Sequence, residues 1–163
     1  MKEPITLIKR KSFGFGENLP DFDKIEDFLL PHVRASRNSK LMHDYGRNIY
    51  HKGEVMGYAL DVRICGYRGL PINAIVQLGF EVNGQWIPDE LKYIQYEGKE
   101  YPFLDIGEDK FDNNWFWKYT DYLKVFFAIP GGIPQGVYPV KFGLALRDHY
   151  SSVAFCEKDV TIV

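Results

Sequence analysis

The sequence is poor in cysteine. Cys65 and Cys156 are the two among 163 residues, so one disulfide at most is available and no disulfide scaffold is encoded. Both sit in apolar, strand-like runs, where a reduced cysteine behaves as a small buried hydrophobe. Long apolar runs are missing too. Nothing approaches the ~18 consecutive apolar residues of a membrane span, and the run at residues 5–8 is too short for a signal-peptide core. The expectation is a soluble, cytoplasmic protein that engages no membrane. Net charge is small as well: 20 basic against 22 acidic side chains gives −2, which excludes a polycation built for nucleic acid.

Catalytic signatures are equally scarce. The four histidines, His32, His43, His51 and His149, form no pair at zinc-ligand spacing, and each cysteine stands alone. Asp148-His149-Tyr150-Ser151-Ser152 contains the residue types of a hydrolytic triad. Triads are assembled from distant segments, and no Gly-x-Ser-x-Gly elbow is present, so this run reads as a polar loop. Gly14 and Gly16 lack the third glycine or Lys-Ser/Thr of a phosphate loop. Nothing marks Cys156 as an activated thiolate. The expectation is a protein that is not an enzyme and takes no cofactor and no metal. The acidic stretch Asp105, Glu108, Asp109, Asp112, Asn113 and Asn114 reads as a solvated loop, with calcium binding as the alternative its oxygen density suggests.

What the sequence has is aromatic content, 16%, and period-two alternation. Tyr58, Leu60, Val62 and Ile64 share one parity, with Asp61 and Arg63 on the other. Ala74, Val76, Leu78, Phe80 and Val82 form a second strand, with Gln77 and Glu81 facing out. Asn83-Gly84 follows directly and signals a hairpin returning through residues 85–87. Strands are further expected over 91–97, 100–106 and 121–129, and through Tyr138, Val140, Phe142, Leu144 and Leu146. Two last short strands fall at 154–156 and 160–163. Tyr138 in Gly136-Val137-Tyr138-Pro139-Val140 has the setting of a tyrosine corner, with Val140 as the inward position. Seven or eight short strands spaced by turns imply an immunoglobulin-like antiparallel β-sandwich over residues 54–163. Residues 1–53 read as an N-terminal arm. One short helix lies around Ile25–Leu30 in that arm, capped by Asp21 or Asp23 and stopped by Pro31. An extended basic connector follows over 32–52. The arm carries a net +3 and the remainder −5.

The strand at 58–64, the run from Val76 to Gly84, the run from Asp121 to Pro130 and the run from Gly136 to Asp148 together carry a resemblance. They resemble immunoglobulin-like β-sandwich domains that accompany tetratricopeptide and caspase-like modules in bacterial regulatory proteins. The resemblance implies a binding or scaffolding role with a protein partner, in a regulatory or defence assembly.

Two surfaces stand out. Trp115, Phe116, Trp117, Tyr119 and Tyr122 place five aromatics in eight residues, and alternation cannot turn them all inward. One parity, either Trp115, Trp117 and Tyr119 or Phe116 and Tyr122, should approach the surface. Such rings anchor protein interfaces and also stack on sugars, so a carbohydrate-binding module, with or without calcium, is the alternative reading. The basic connector offers Arg34, Arg37, Lys40 and Arg47 beside Tyr45, Tyr50 and His51. Pairing with the acidic remainder is favoured there over single-stranded nucleic acid.

Overall fold

A computed structural model describes residues 36–37, 39–64, 69–105, 116–118, 120–146 and 153–163. Twelve strands form among them: β1 (Ser36–Arg37), β2 (Tyr45–His51), β3 (Glu54–Val62), β4 (Leu70–Pro71), β5 (Ile75–Val82), β6 (Gln85–Trp86), β7 (Lys92–Tyr96), β8 (Lys99–Pro102), β9 (Phe116–Trp117), β10 (Leu123–Phe127), β11 (Gly136–Leu146) and β12 (Val153–Ile162). Helical structure among the described residues is limited to single 3-10 turns such as Asp89–Leu91 and Phe103–Asp105. Ten strands make one curled sheet in the order β6-β5-β11-β12-β2-β3-β10-β7-β8, with β1 beside β12, while β4 and β9 pair separately. The protein is therefore mainly β. Among the described residues no helix is long and apolar enough to cross a membrane.

The alternation in the sequence explains the core. Tyr58, Leu60 and Val62 of β3 are buried on one parity with Leu78, Phe80 and Val82 of β5 and Val140, Phe142, Leu144 and Leu146 of β11. The two ends of the sheet face each other across these residues. Phe80 of β5 stacks on Phe142 at 4.9 Å and meets Phe127 of β10 edge-on at 5.0 Å, and Phe127 meets Tyr58 at 5.1 Å. Each such ring pair adds about 0.5–1.5 kcal/mol beyond its burial, so this column helps to set how the halves sit. The expected turn forms at Asn83-Gly84, where both residues take positive φ (50° and 78°) and Glu81–Val82 pairs with Gln85–Trp86. Glu97-Gly98 turns β7 into β8 with the same geometry, one residue earlier than expected. The Tyr138 hydroxyl donates to the Pro134 carbonyl at 2.7 Å, and Val140 is fully buried, as a tyrosine corner requires.

Three expectations change. The segment at 32–52 is not simply an extended connector. Its second half is β2, paired with β3 through a turn at Lys52-Gly53 (φ 51° and 80°) and, in parallel, with the end of β12. The passage of β2 between the halves depends on Gly46: a Cβ there would lie 2.6 Å from Leu60 Cδ2 and 2.8 Å from the Ala59 carbonyl. The two expected terminal strands are one continuous β12, paired with β11 from Gly136↔Ile162 to Ala145↔Val153. The charged triplet Glu157-Lys158-Asp159 does not break it. Lys158 shares the inward parity of Cys156 and Val160, and its ammonium reaches the Met42 carbonyl at 3.0 Å and the Asp44 carboxylate. Gln77, expected to face solvent, is fully buried. The short helix expected within the first 35 residues lies outside the described residues.

Candidate functional site

The half-sheet β2-β3-β10-β7-β8 turns one face to the core and the other outward. Register places Asp61, Lys124, Gln95 and Glu100 side by side on the outward face. The row of Arg47, Ala59, Phe126, Tyr93 and Pro102 lies next to it. Arg63 and Tyr122 extend the face two residues further along β3 and β10. The Arg63 guanidinium lies over the Tyr122 ring, 5.1 Å from its centroid. The His43 ring meets Tyr122 edge-on at 5.2 Å and leans on Tyr45 at 5.9 Å.

Backbone pairing holds these groups together. Residues 41–43 run beside the end of β3: the His43 N–H donates to the Asp61 carbonyl at 2.9 Å and the Arg63 N–H to the Leu41 carbonyl at 2.7 Å. His43 Nδ1 accepts the Tyr45 N–H at 3.1 Å. That bond assigns the proton of the neutral imidazole to Nε2. Lys158 bonds and attracts the Asp44 carboxylate, which holds its pKa below the ordinary 3.8. Tyr45 and Tyr122 remain 56% and 44% exposed, so the rings are fixed at their bases and open at their tips.

Charge on this face is unevenly matched. Arg47 meets Asp61 at 3.5 Å. Neither Lys124 nor Arg63 has a carboxylate within ion-pair reach among the described residues. Partial burial pushes the Lys124 ammonium pKa below its ordinary value, and the neighbouring Arg47 charge adds to the shift. Asp61, the cross-strand neighbour of Lys124, and Glu100 only partly oppose it.

The candidates read from sequence separate into three groups. Tyr122 and Arg47 lie on this face. Trp117 is buried, 4% exposed, with its indole N–H donating to the Asp121 carbonyl at 3.0 Å, while its neighbour Phe116 is 47% exposed. Lys40 is exposed in the 3-10 turn Ser39–Leu41. Trp115, Tyr119 and Arg34 lie outside the described residues, and for Arg37 the backbone pairing with Phe155 in β12 is what is seen. Sequence reasoning missed His43, Arg63 and Lys124 as site residues, although the outward parity of Arg63, the residue that follows β3, was legible. Cys156 is a free, buried thiol. Among the described residues no three His, Cys, Asp or Glu side chains converge as metal ligands.

A second polar centre is interior. Lys92, at the start of β7, is fully buried. Its ammonium donates to Asp89 Oδ1 at 2.8 Å and to the Leu78 carbonyl of β5 at 2.7 Å. The rings of Trp86, Phe103 and Phe80 surround it at 5.4, 5.5 and 5.9 Å. Among the described residues β6 pairs with Glu81 and Val82, and no strand covers that side of β5 at Leu78. Lys92 caps that carbonyl from the opposite end of the curled sheet and closes the curl, where an unpaired buried carbonyl would cost about 1–3 kcal/mol.

Comparison with known proteins gives a consistent result. The sequence model of a family described as "C-glycoside deglycosidase beta subunit" matches residues 37–150. The C-glycoside deglycosidase beta subunit of Eubacterium cellulosolvens is 30% identical over 105 residues, which are 64% of this chain and 69% of that protein. These matches overturn the resemblance to domains accompanying tetratricopeptide and caspase-like modules. They also overturn the expectation of a non-enzymatic scaffolding module, because the matched proteins are named as subunits of an enzyme. The error has a physical source. Alternating strands, tight turns and a tyrosine corner specify a β fold but leave open which proteins share it.

Proposed function

Because the chain belongs to the C-glycoside deglycosidase beta subunit family, we propose that it is the beta subunit of a multi-subunit enzyme that cleaves C-glycosides. The observation that carries this is the match across residues 37–150, which takes in every strand from β2 to β11. The bond at stake in a C-glycoside joins the anomeric carbon of the sugar to a carbon of the aglycone. A beta subunit implies a partner subunit, and the chain is well suited to meet one. Its outward face carries exposed tyrosines and an arginine, the residue types enriched where protein interfaces gain most of their energy. The Tyr138 corner and the two facing half-sheets support the finer description of the fold as an immunoglobulin-like sandwich. The free, buried Cys156 is in keeping with a cytoplasmic enzyme.

The test is co-expression with the alpha subunit encoded in the same genome. The two chains should co-purify, and the pair should release free sugar from a C-glycoside. Failure to co-purify, with no sugar released by the mixture, would overturn the reading.

A further inference from the structure

We propose that the outward face of the β2-β3-β10-β7-β8 half-sheet, centred on Arg63, Tyr122 and Lys124, docks an acidic surface of the partner subunit. This rests on the reading of the chain as a beta subunit and deepens it by naming the surface and the chemistry it meets.

Charge complementarity is the first argument. Residues 54–163 carry a net −5, yet this face gathers Arg47, Arg63 and Lys124 against Asp61, which Arg47 already engages, and Glu100 at the rim. Arg63 rests on a tyrosine ring with no carboxylate in reach among the described residues. Lys124 is partly buried, feels the Arg47 charge, and lies across the sheet from Asp61, the carboxylate that Arg47 engages. A cation in that position costs the free chain stability, and an incoming carboxylate removes the cost. Such a charge belongs to a surface completed by a partner.

Preorganisation is the second argument. Ordering side chains on association costs about 0.5–1.5 kcal/mol for each flexible group. Here Tyr122 is already held between Arg63 and His43, and His43 is held by the Tyr45 backbone. The anchor residues lose little freedom on docking, which is the condition under which a tyrosine and an arginine become dominant contacts. Phe126 and Ala59 of the same face are themselves buried among its larger side chains, so it is closely packed.

The experiment co-expresses the alpha subunit with wild-type chain, Arg63→Glu, Lys124→Glu, Tyr122→Ala and, as a control of equal charge change, Lys52→Glu in the exposed β2–β3 turn. Assembly is measured by native mass spectrometry and by titration at two salt concentrations. Arg63→Glu and Lys124→Glu should each weaken assembly about tenfold or more. Tyr122→Ala should weaken it as well, Lys52→Glu should leave it intact, and wild-type affinity should fall as salt rises. Thermal melts check each fold, and where a reversal unfolds the chain Arg63→Gln or Lys124→Gln takes its place. The proposal is overturned if the face variants assemble like wild type, or if Lys52→Glu is equally harmful. It is also overturned if Tyr122→Ala assembles normally but raises KM for the C-glycoside, because the rings then face substrate. If wild-type chain forms no complex at all, the beta-subunit reading itself fails and takes the proposal with it.

Discussion

Single residues show how polar chemistry is divided between the interior and the surface. Lys92 is a buried cation that satisfies the Leu78 carbonyl of β5 and the Asp89 carboxylate, so its worth is structural. Removing one member of a buried ion pair costs about 3–5 kcal/mol, because the other is left uncompensated. Lys92→Ala should therefore lose about that much in urea unfolding. Lys92→Met combined with Asp89→Leu should recover part of the loss, because no stranded charge remains. Lys124 is the opposite case. Its ammonium pKa is depressed below the ordinary 10.5 by burial first and by Arg47 second. The folded chain binds its proton less well than the unfolded chain does. The penalty is therefore present at neutral pH and disappears as pH rises through 10.5. Lys124→Gln should raise the melting temperature of the isolated chain at pH 7. The same substitution should weaken assembly with the partner. A variant that loses both stability and assembly would contradict the assignment of Lys124 to the interface.

At the scale of elements, the strands with uninterrupted alternation were legible and those held by specific polar contacts were not. β3, β5 and β11 announce themselves through Tyr58-Leu60-Val62, Leu78-Phe80-Val82 and Val140-Phe142-Leu144, and Asn83-Gly84 announces its turn. β2 reads Tyr-Gly-Arg-Asn-Ile-Tyr-His, with one aliphatic residue and no alternation. It is a strand because its neighbours supply the order. It pairs with β3 and β12, and Asn48 bonds the Ile133 carbonyl and N–H at 2.8 and 2.9 Å, 85 residues away. β12 survives three consecutive charges because Lys158 finds the Met42 carbonyl and Asp44, partners no local pattern reveals. The candidate site was hidden for the same reason. Tyr122 and the outward parity of Arg63 were visible, but their contact, and the place of His43 against them, depend on the β3–β10 register. Asn48→Ala should cost about 1–3 kcal/mol by leaving both Ile133 backbone groups without that partner. A melting temperature roughly 2–4 °C lower for each kcal/mol is the expected readout. An unchanged melt would mean that β2 is held by its strand neighbours alone.

At the scale of the molecule, a chain of near-zero net charge carries its charges unevenly, and the sheet sorts them onto faces. The curl puts aromatic rings inside, closes one end with Lys92, and leaves a cationic, tyrosine-bearing face outward. Membership of the C-glycoside deglycosidase beta subunit family underlies the role proposed for that face, the meeting of a partner subunit. The most direct test is a reconstitution titration. The purified alpha subunit is held at fixed concentration, this chain is added in steps, and release of free sugar from a C-glycoside is followed. The account predicts that sugar release rises with added chain and saturates at a fixed stoichiometry. Sugar release that is the same with and without the chain would contradict it.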